Sequence, residues 1–178
     1  VMKAVYKELN VDDKAIKIKK ASNQIGRWKD QLISPEKAVS CSIGNFEEQK
    51  IAQIYVSYQK KLREAGAFDF DDLIYCTVQL LEEHSEVREF YQNKYRYLLV
   101  DEYQDTSIAQ FRLVSLLTGP EQNICVVGDD DQSIYSFRGA TVENILKFEK
   151  IYPRTKTIRL EQNYRSTSNI LNAANCVI

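Results

Sequence analysis

Tyr97-Leu98-Leu99-Val100 is an unbroken apolar run that stops against two adjacent carboxylates, Asp101 and Glu102. A run of this kind reads as a strand, spanning Tyr95–Val100, buried on both faces as in a parallel sheet. A helix-start signal follows at Thr106 or Ser107, and Phe111, Val114 and Leu117 then recur at helical spacing until Gly119-Pro120 ends the helix. A second apolar run, Asn123-Ile124-Cys125-Val126-Val127, closes on Gly128-Asp129 in the same way. A helix over about 142–151, a half-alternating third strand over Thr157–Leu160 and a last helix from about Ser166 complete the pattern. Strand, helix, strand, helix, strand at this spacing implies right-handed crossovers and a parallel α/β sheet. The carboxyl ends of parallel strands share one edge, and ligands sit in the crevice beyond it. Asp101 and Glu102, the loop from Asp129 to Gln132, and Glu161 to Arg165 are therefore expected to gather there.

Upstream of this pattern, residues 1–64 read as all-helical. Asn45 with Glu48 makes a start resembling a capping box, followed by Phe46, Ile51, Ile54, Tyr55, Tyr58 and Leu62 at helical spacing. Trp28 belongs to an earlier helix ending near Ile33, and Ser34-Pro35 opens the next. A boundary falls near Gly66, where the charge also changes sign. Residues 1–63 carry 13 Lys and Arg against 7 Asp and Glu, a net of +6; the other 115 residues carry 11 against 18, a net of −7. The basic third suits either a phosphate backbone or an ordinary solvated helical surface. Past the boundary, Asp69 caps a helix whose Phe70, Leu73, Ile74, Val78 and Leu81 form one apolar stripe, and a short helix runs from about Ser85 to Gln92.

A hydrophobic fraction of 44% with 28% charged residues is that of a soluble globular protein. No apolar run approaches a membrane span, and Val1-Met2-Lys3 does not read as a signal peptide. Cys41, Cys76, Cys125 and Cys176 are scattered, with only His84 to join them, so buried reduced thiols in a cytosolic protein are expected rather than zinc.

The strand-end residue types point to phosphate chemistry. Two acids suit Mg²⁺, a hard cation usually held by one or two carboxylates plus nucleotide phosphates, and one of the pair can instead polarise an attacking water. The alternative is a strand that simply ends in solvated acids. Gly128-Asp129-Asp130-Asp131-Gln132-Ser133-Ile134-Tyr135-Ser136-Phe137-Arg138-Gly139-Ala140 adds an amide, Gln132, able to read a terminal phosphate. Tyr135 and Phe137 offer bases a stacking surface and Arg138 a partner for phosphate or carboxylate. The same aromatics could equally plug the sheet edge. Tyr164-Arg165, just before a helix start, pairs a ring for a base with a guanidinium for phosphate, or is a plain surface pair.

Taken together, Asp101-Glu102-Tyr103-Gln104-Asp105-Thr106, the 127–140 segment and Leu160-Glu161-Gln162-Asn163-Tyr164-Arg165-Ser166 resemble motifs II, III and IV of superfamily 1 DNA helicases, the UvrD/Rep/PcrA branch above all. Phe68-Asp69-Phe70-Asp71-Asp72-Leu73 resembles a segment that family places upstream of motif II, and Trp28 to Pro35 is similar to its helical 1B insertion. The resemblance implies a 1B-like helical domain over 1–64, a RecA-like 1A motor fragment over 65–160, and a lead into the second motor domain over 161–178. It implies ATP and Mg²⁺ as cofactors, with single-stranded and duplex DNA as substrates. Asp101 would hold Mg²⁺ through water and Glu102 would polarise the water attacking the γ-phosphate. Gln132 would sense that phosphate, Tyr164 would stack on adenine, and Arg165 would act as an arginine finger. Tyr135, Phe137 and Arg138 would link DNA contact to the ATP site, with Phe137 standing where many relatives have Trp.

None of the six glycines is followed five residues later by another, so the phosphate-cradling Gly-x-x-x-x-Gly-Lys-Ser/Thr does not occur in these residues. The expectation is a piece of a larger 3′–5′ helicase, inactive alone as an ATPase and partnered by the rest of its chain and by repair or replication proteins. A non-catalytic single-strand-binding module and part of a RecB- or AddA-like helicase–nuclease are the competing readings. An unrelated Mg²⁺-dependent phosphatase would need further acid ligands, for which only Asp129, Asp130 and Asp131 stand ready.

Overall fold

The structure, a computed structural model, describes residues 1–133, 139–141 and 143–176. Four helices come first: α1 (Met2–Glu8), α2 (Ile18–Asp30), α3 (Pro35–Cys41) and α4 (Phe46–Glu64). They share one core built on Val5, Ile25, Trp28, Ile51, Ile54 and Tyr55, with the Trp28 and Tyr55 rings stacked 6.0 Å apart. Local chemistry sets their ends. Ser34 and Asn45 accept hydrogen bonds from the N–H groups of Lys37 and Glu48, and Pro35 occupies the first turn where it has no donor to lose. At the end of α4, Gly66 adopts φ +58° and the Ala67 and Gly66 amides close back on Leu62 and Arg63, a Schellman cap. Helix α2 ends in the same motif with Leu32, not glycine, at φ +56°. Its side chain is held there by packing against a second apolar cluster centred on Val78, Leu81 and Leu116.

Beyond Gly66, α5 (Phe70–Glu83) starts in a full capping box, Asp69 with Asp72, and α6 (Ser85–Lys94) leads into β1 (Leu98–Val100). Helix α7 (Ile108–Leu117), boxed by Ser107 and Gln110, joins it to β2 (Ile124–Val126). The strands pair in parallel, Leu98 with Ile124 and Val100 with Val126, giving an α/β fold. Val100, Ile124 and Val126 face a third cluster in which the Tyr103 and Phe148 rings meet edge to face.

Four expectations are corrected. The strands are not buried on both faces: Leu99 is 81% exposed and Cys125 is open, because no described element packs over their side of the pleat. Residues 157–160 form no strand, and a cavity of about 700 Å³ lined by Ile124, Val126, Phe148, Tyr152 and Ile158 lies beside β2. The helix over 142–151 is two single turns, α8 (Glu143–Leu146) and α9 (Phe148–Ile151), interrupted at Lys147. On α5 the buried face is Asp72, Tyr75, Val78 and Leu81, whereas Phe70 is 89% exposed and Leu73 also lies open. A final helix, α10 (Ser168–Asn175), follows this irregular segment.

Candidate functional site

At the carboxyl end of β1 the chain reverses sharply. Asp101 Oδ1 accepts the Glu102 N–H at 2.9 Å, and Glu102 itself sits in the left-handed region at φ +50°. That conformation costs a non-glycine residue about 1–3 kcal/mol. A 3₁₀ turn over Tyr103–Asp105 follows, anchored by the Tyr103 N–H on Val127 O and by the fully buried Tyr103 ring. Burial, then the nearby Tyr152, pushes the Tyr103 hydroxyl up to about 12, so it stays neutral.

Gln104, which lies within the motif II-like run but is given no role by the sequence, proves central. It is 1% exposed, and its Nε2 donates to Glu102 Oε2 at 2.8 Å while its Oε1 accepts the Asp129 N–H at 3.1 Å. Asp129 in turn accepts from Gln132 Nε2 at 2.6 Å, and Ser133 Oγ donates to the Gln104 carbonyl at 3.3 Å. Gly128 allows this approach: a methyl group there would lie 2.6 Å from Gln104 Oε1 and 2.9 Å from Ile145 Cδ1. On the far side, buried Asn144 donates to both oxygens of Thr106, at 3.0 and 3.1 Å. Asp101, Glu102, Asp129 and Gln132 are thus drawn together at one edge, with all four residues exposed to solvent.

The rest of the expected site is not assembled there. Among the described residues, the hydrogen bonds of the 161–166 segment are local: Asn163 Oδ1 accepts from the Arg165 and Ser166 amides at 2.9 Å. Tyr164 is 91% exposed. The strand expected to carry Tyr164 and Arg165 to the edge does not pair, which leaves them without an anchor on it. Tyr135, Phe137 and Arg138 lie outside the described residues.

The acids at the edge fit Mg²⁺. One oxygen each of Asp101 and Glu102 makes no hydrogen bond among the described residues, and all the donors are hard oxygens. No three Asp, Glu, His or Cys side chains among the described residues form an enclosing set.

A second polar cluster joins α2 to α5. Lys29 is fully buried, its Nζ 2.6 Å from Asp69 Oδ2 and 2.9 Å from Asp72 Oδ1, with Tyr58 also donating to Asp69 at 3.0 Å. Although burial opposes it, the Lys29 contact holds the Asp69 carboxyl below its ordinary range. Beside them, burial and the charge of Asp71 push Asp30 up to about 6, against a hydrogen bond from Ser107 that favours ionisation. Sequence spacing carries no signal for a meeting 40 residues apart.

A parallel strand pair with acids at its carboxyl edge, its two strand-end loops joined by a buried amide, defines an α/β protein. Comparison with known proteins then gives the family. The model of the UvrD/REP helicase N-terminal domain matches residues 1–153, and the chain belongs to that family. It is 51% identical over all 178 residues to the ATP-dependent DNA helicase PcrA of Staphylococcus epidermidis and 50% identical to that of Staphylococcus aureus. The chain spans 24% of the length of each of these relatives.

Proposed function

We propose that this chain is part of an ATP-dependent DNA helicase in which the edge formed by Asp101, Glu102 and Gln132 hydrolyses ATP during movement along single-stranded DNA. The observation that carries the reading is the hydrogen-bonded join between the Glu102 turn and the Gln132 loop, in a chain whose whole length aligns with helicases of that description. Mg²⁺ held near Asp101 would screen charge on the phosphates. Glu102, turned outward by its left-handed backbone, would orient and deprotonate the attacking water. Gln132, steadied by Asp129, would contact the terminal phosphate, while Tyr164 would stack on the base and Arg165 would meet transition-state charge once that segment closes on the edge. Residues 1–64 would form a helical insertion, 65–160 a RecA-like motor portion and 161–178 the lead into a second motor domain. DNA contact through Tyr135, Phe137 and Arg138, 3′–5′ polarity, a cytosolic setting and repair or replication partners complete the proposal.

The test is Glu102→Gln in the full-length protein that contains this chain. Loss of a general base lowers the rate about 10²–10⁴-fold, so DNA-stimulated phosphate release should fall by that amount with ATP still bound. Unchanged release would overturn the reading. The 178-residue chain alone should release no phosphate, since nothing in it supplies the glycine-rich phosphate loop and its lysine.

A further inference from the structure

We infer that Gln104 is a positioning residue that couples the Glu102 carboxylate to the loop bearing Gln132, so that the two groups shift together. This rests on the nucleotide-hydrolysis reading above. Both ends of one buried amide are committed to the link: Nε2 on Glu102 Oε2 at 2.8 Å and Oε1 on the Asp129 N–H at 3.1 Å. Only this orientation of the amide works, because the reverse would set a carbonyl against a carboxylate and an NH₂ against an N–H. The Gln104 backbone contributes as well, its carbonyl accepting from Ser133 Oγ at 3.3 Å. From Asp129 the connection runs on to Gln132 Nε2 at 2.6 Å. A continuous chain of hydrogen bonds therefore runs Glu102, Gln104, Asp129, Gln132, between side chains 30 residues apart in sequence.

Two features show that the amide is built in rather than merely filling space. Gly128 leaves room for it where any Cβ would strike Gln104 Oε1 at 2.6 Å. Glu102, whose carboxylate the amide holds, is one of the few non-glycine residues in the left-handed region, at φ +50°. A contact at Gln132 is thereby passed to the group that faces the attacking water, without any change in the strands beneath.

The experiment uses full-length protein carrying Gln104→Met, which keeps length and apolar volume but offers no hydrogen bonds. In nucleotide-free protein, the Asp129 amide should exchange with solvent at least about tenfold faster, while the Ile124–Val126 amides keep their protection. In kinetics, kcat for DNA-stimulated ATP hydrolysis should fall about 100-fold with KM for ATP within about threefold, as displacement of a reacting group predicts. Unchanged exchange at Asp129, or kcat within about twofold, overturns the assignment, as does faster exchange spread evenly over all strand amides. If Gln104→Met does not fold, Gly128→Ala, which presses on the amide without touching Glu102, carries the same two measurements, with the same results supporting or overturning the assignment. A normal rate in Gln104→Met beside a lost rate in Glu102→Gln overturns this inference alone. A normal rate in Glu102→Gln removes the hydrolysis reading and this inference with it.

Discussion

Lys29 is the residue on which the two halves of the chain depend. A buried ammonium bridges Asp69 and Asp72, and Asp72 is itself fully buried with further bonds from Gln59 and the Asp69 N–H. Removing the cation leaves the fully buried Asp72 and the half-buried Asp69 without a counter-charge. Lys29→Met should therefore cost about 3–5 kcal/mol in urea unfolding, far more than a surface lysine such as Lys19. Asp30 behaves oppositely. Its ordinary carboxyl value is 3.8 and its folded value is about 6, so between those pH values the native chain holds a proton that the unfolded chain releases. Stability from this group declines as pH rises through that window and is level above it. Asp30→Asn, which keeps an oxygen for Ser107, should raise stability by about 1–2 kcal/mol near neutral pH after allowance for solvent screening, and by almost nothing near pH 4. Paired thermal melts at the two pH values check this. Asp69 adds the usual acid sensitivity, since its depressed value contributes stability that disappears as pH falls.

At the scale of elements, helix ends are more legible in the sequence than helix faces. Ser34, Asn45, Asp69 and Ser107 each cap the helix that their position in the sequence announces, because a cap is a contact across only three residues. Gly66 shows how local such control is: its would-be Cβ meets nothing within 4 Å, so only the φ of +58° demands glycine. Gly66→Ala should cost about 1 kcal/mol in chemical denaturation, from backbone strain alone. Faces are harder. The apolar stripe of α5 puts Phe70 and Leu73 inside, yet the helix turns Asp72 and Tyr75 inward to meet Lys29 and the α2–α4 core. Hydrophobic spacing alone cannot register a buried ion pair with a helix 40 residues away. The expected third strand does not form for a related reason, since a strand needs a partner edge at the right distance and not merely an alternating sequence.

Across the whole molecule, thiols are accessible where the sequence suggests buried ones: Cys125 on the open face of β2, Cys41 at the end of α3 and Cys176 after α10. Cys41, Cys125 and Cys176 are exposed, while Cys76 is half-buried and its thiol is pushed up to about 11 by burial and then by the Asp72 charge. In the 178-residue chain three thiols should react rapidly with a disulfide reagent near pH 8, and Cys76 only on unfolding. Equal reactivity of all four would contradict the packing of α5 against α2. Sequence alone settled the strand-end placement of Asp101, Glu102 and Asp129, since an apolar run meeting a polar turn is written in consecutive residues. It also settled the helix caps and, through three motifs in order, the family. Tertiary structure alone decided that Gln104 joins Glu102 to the Gln132 loop, that Lys29 is buried between two acids, and that no described element covers one face of the sheet. Those outcomes depend on which distant side chains share a dry space, where desolvation makes a hydrogen bond or ion pair obligatory, and no local spacing encodes that meeting.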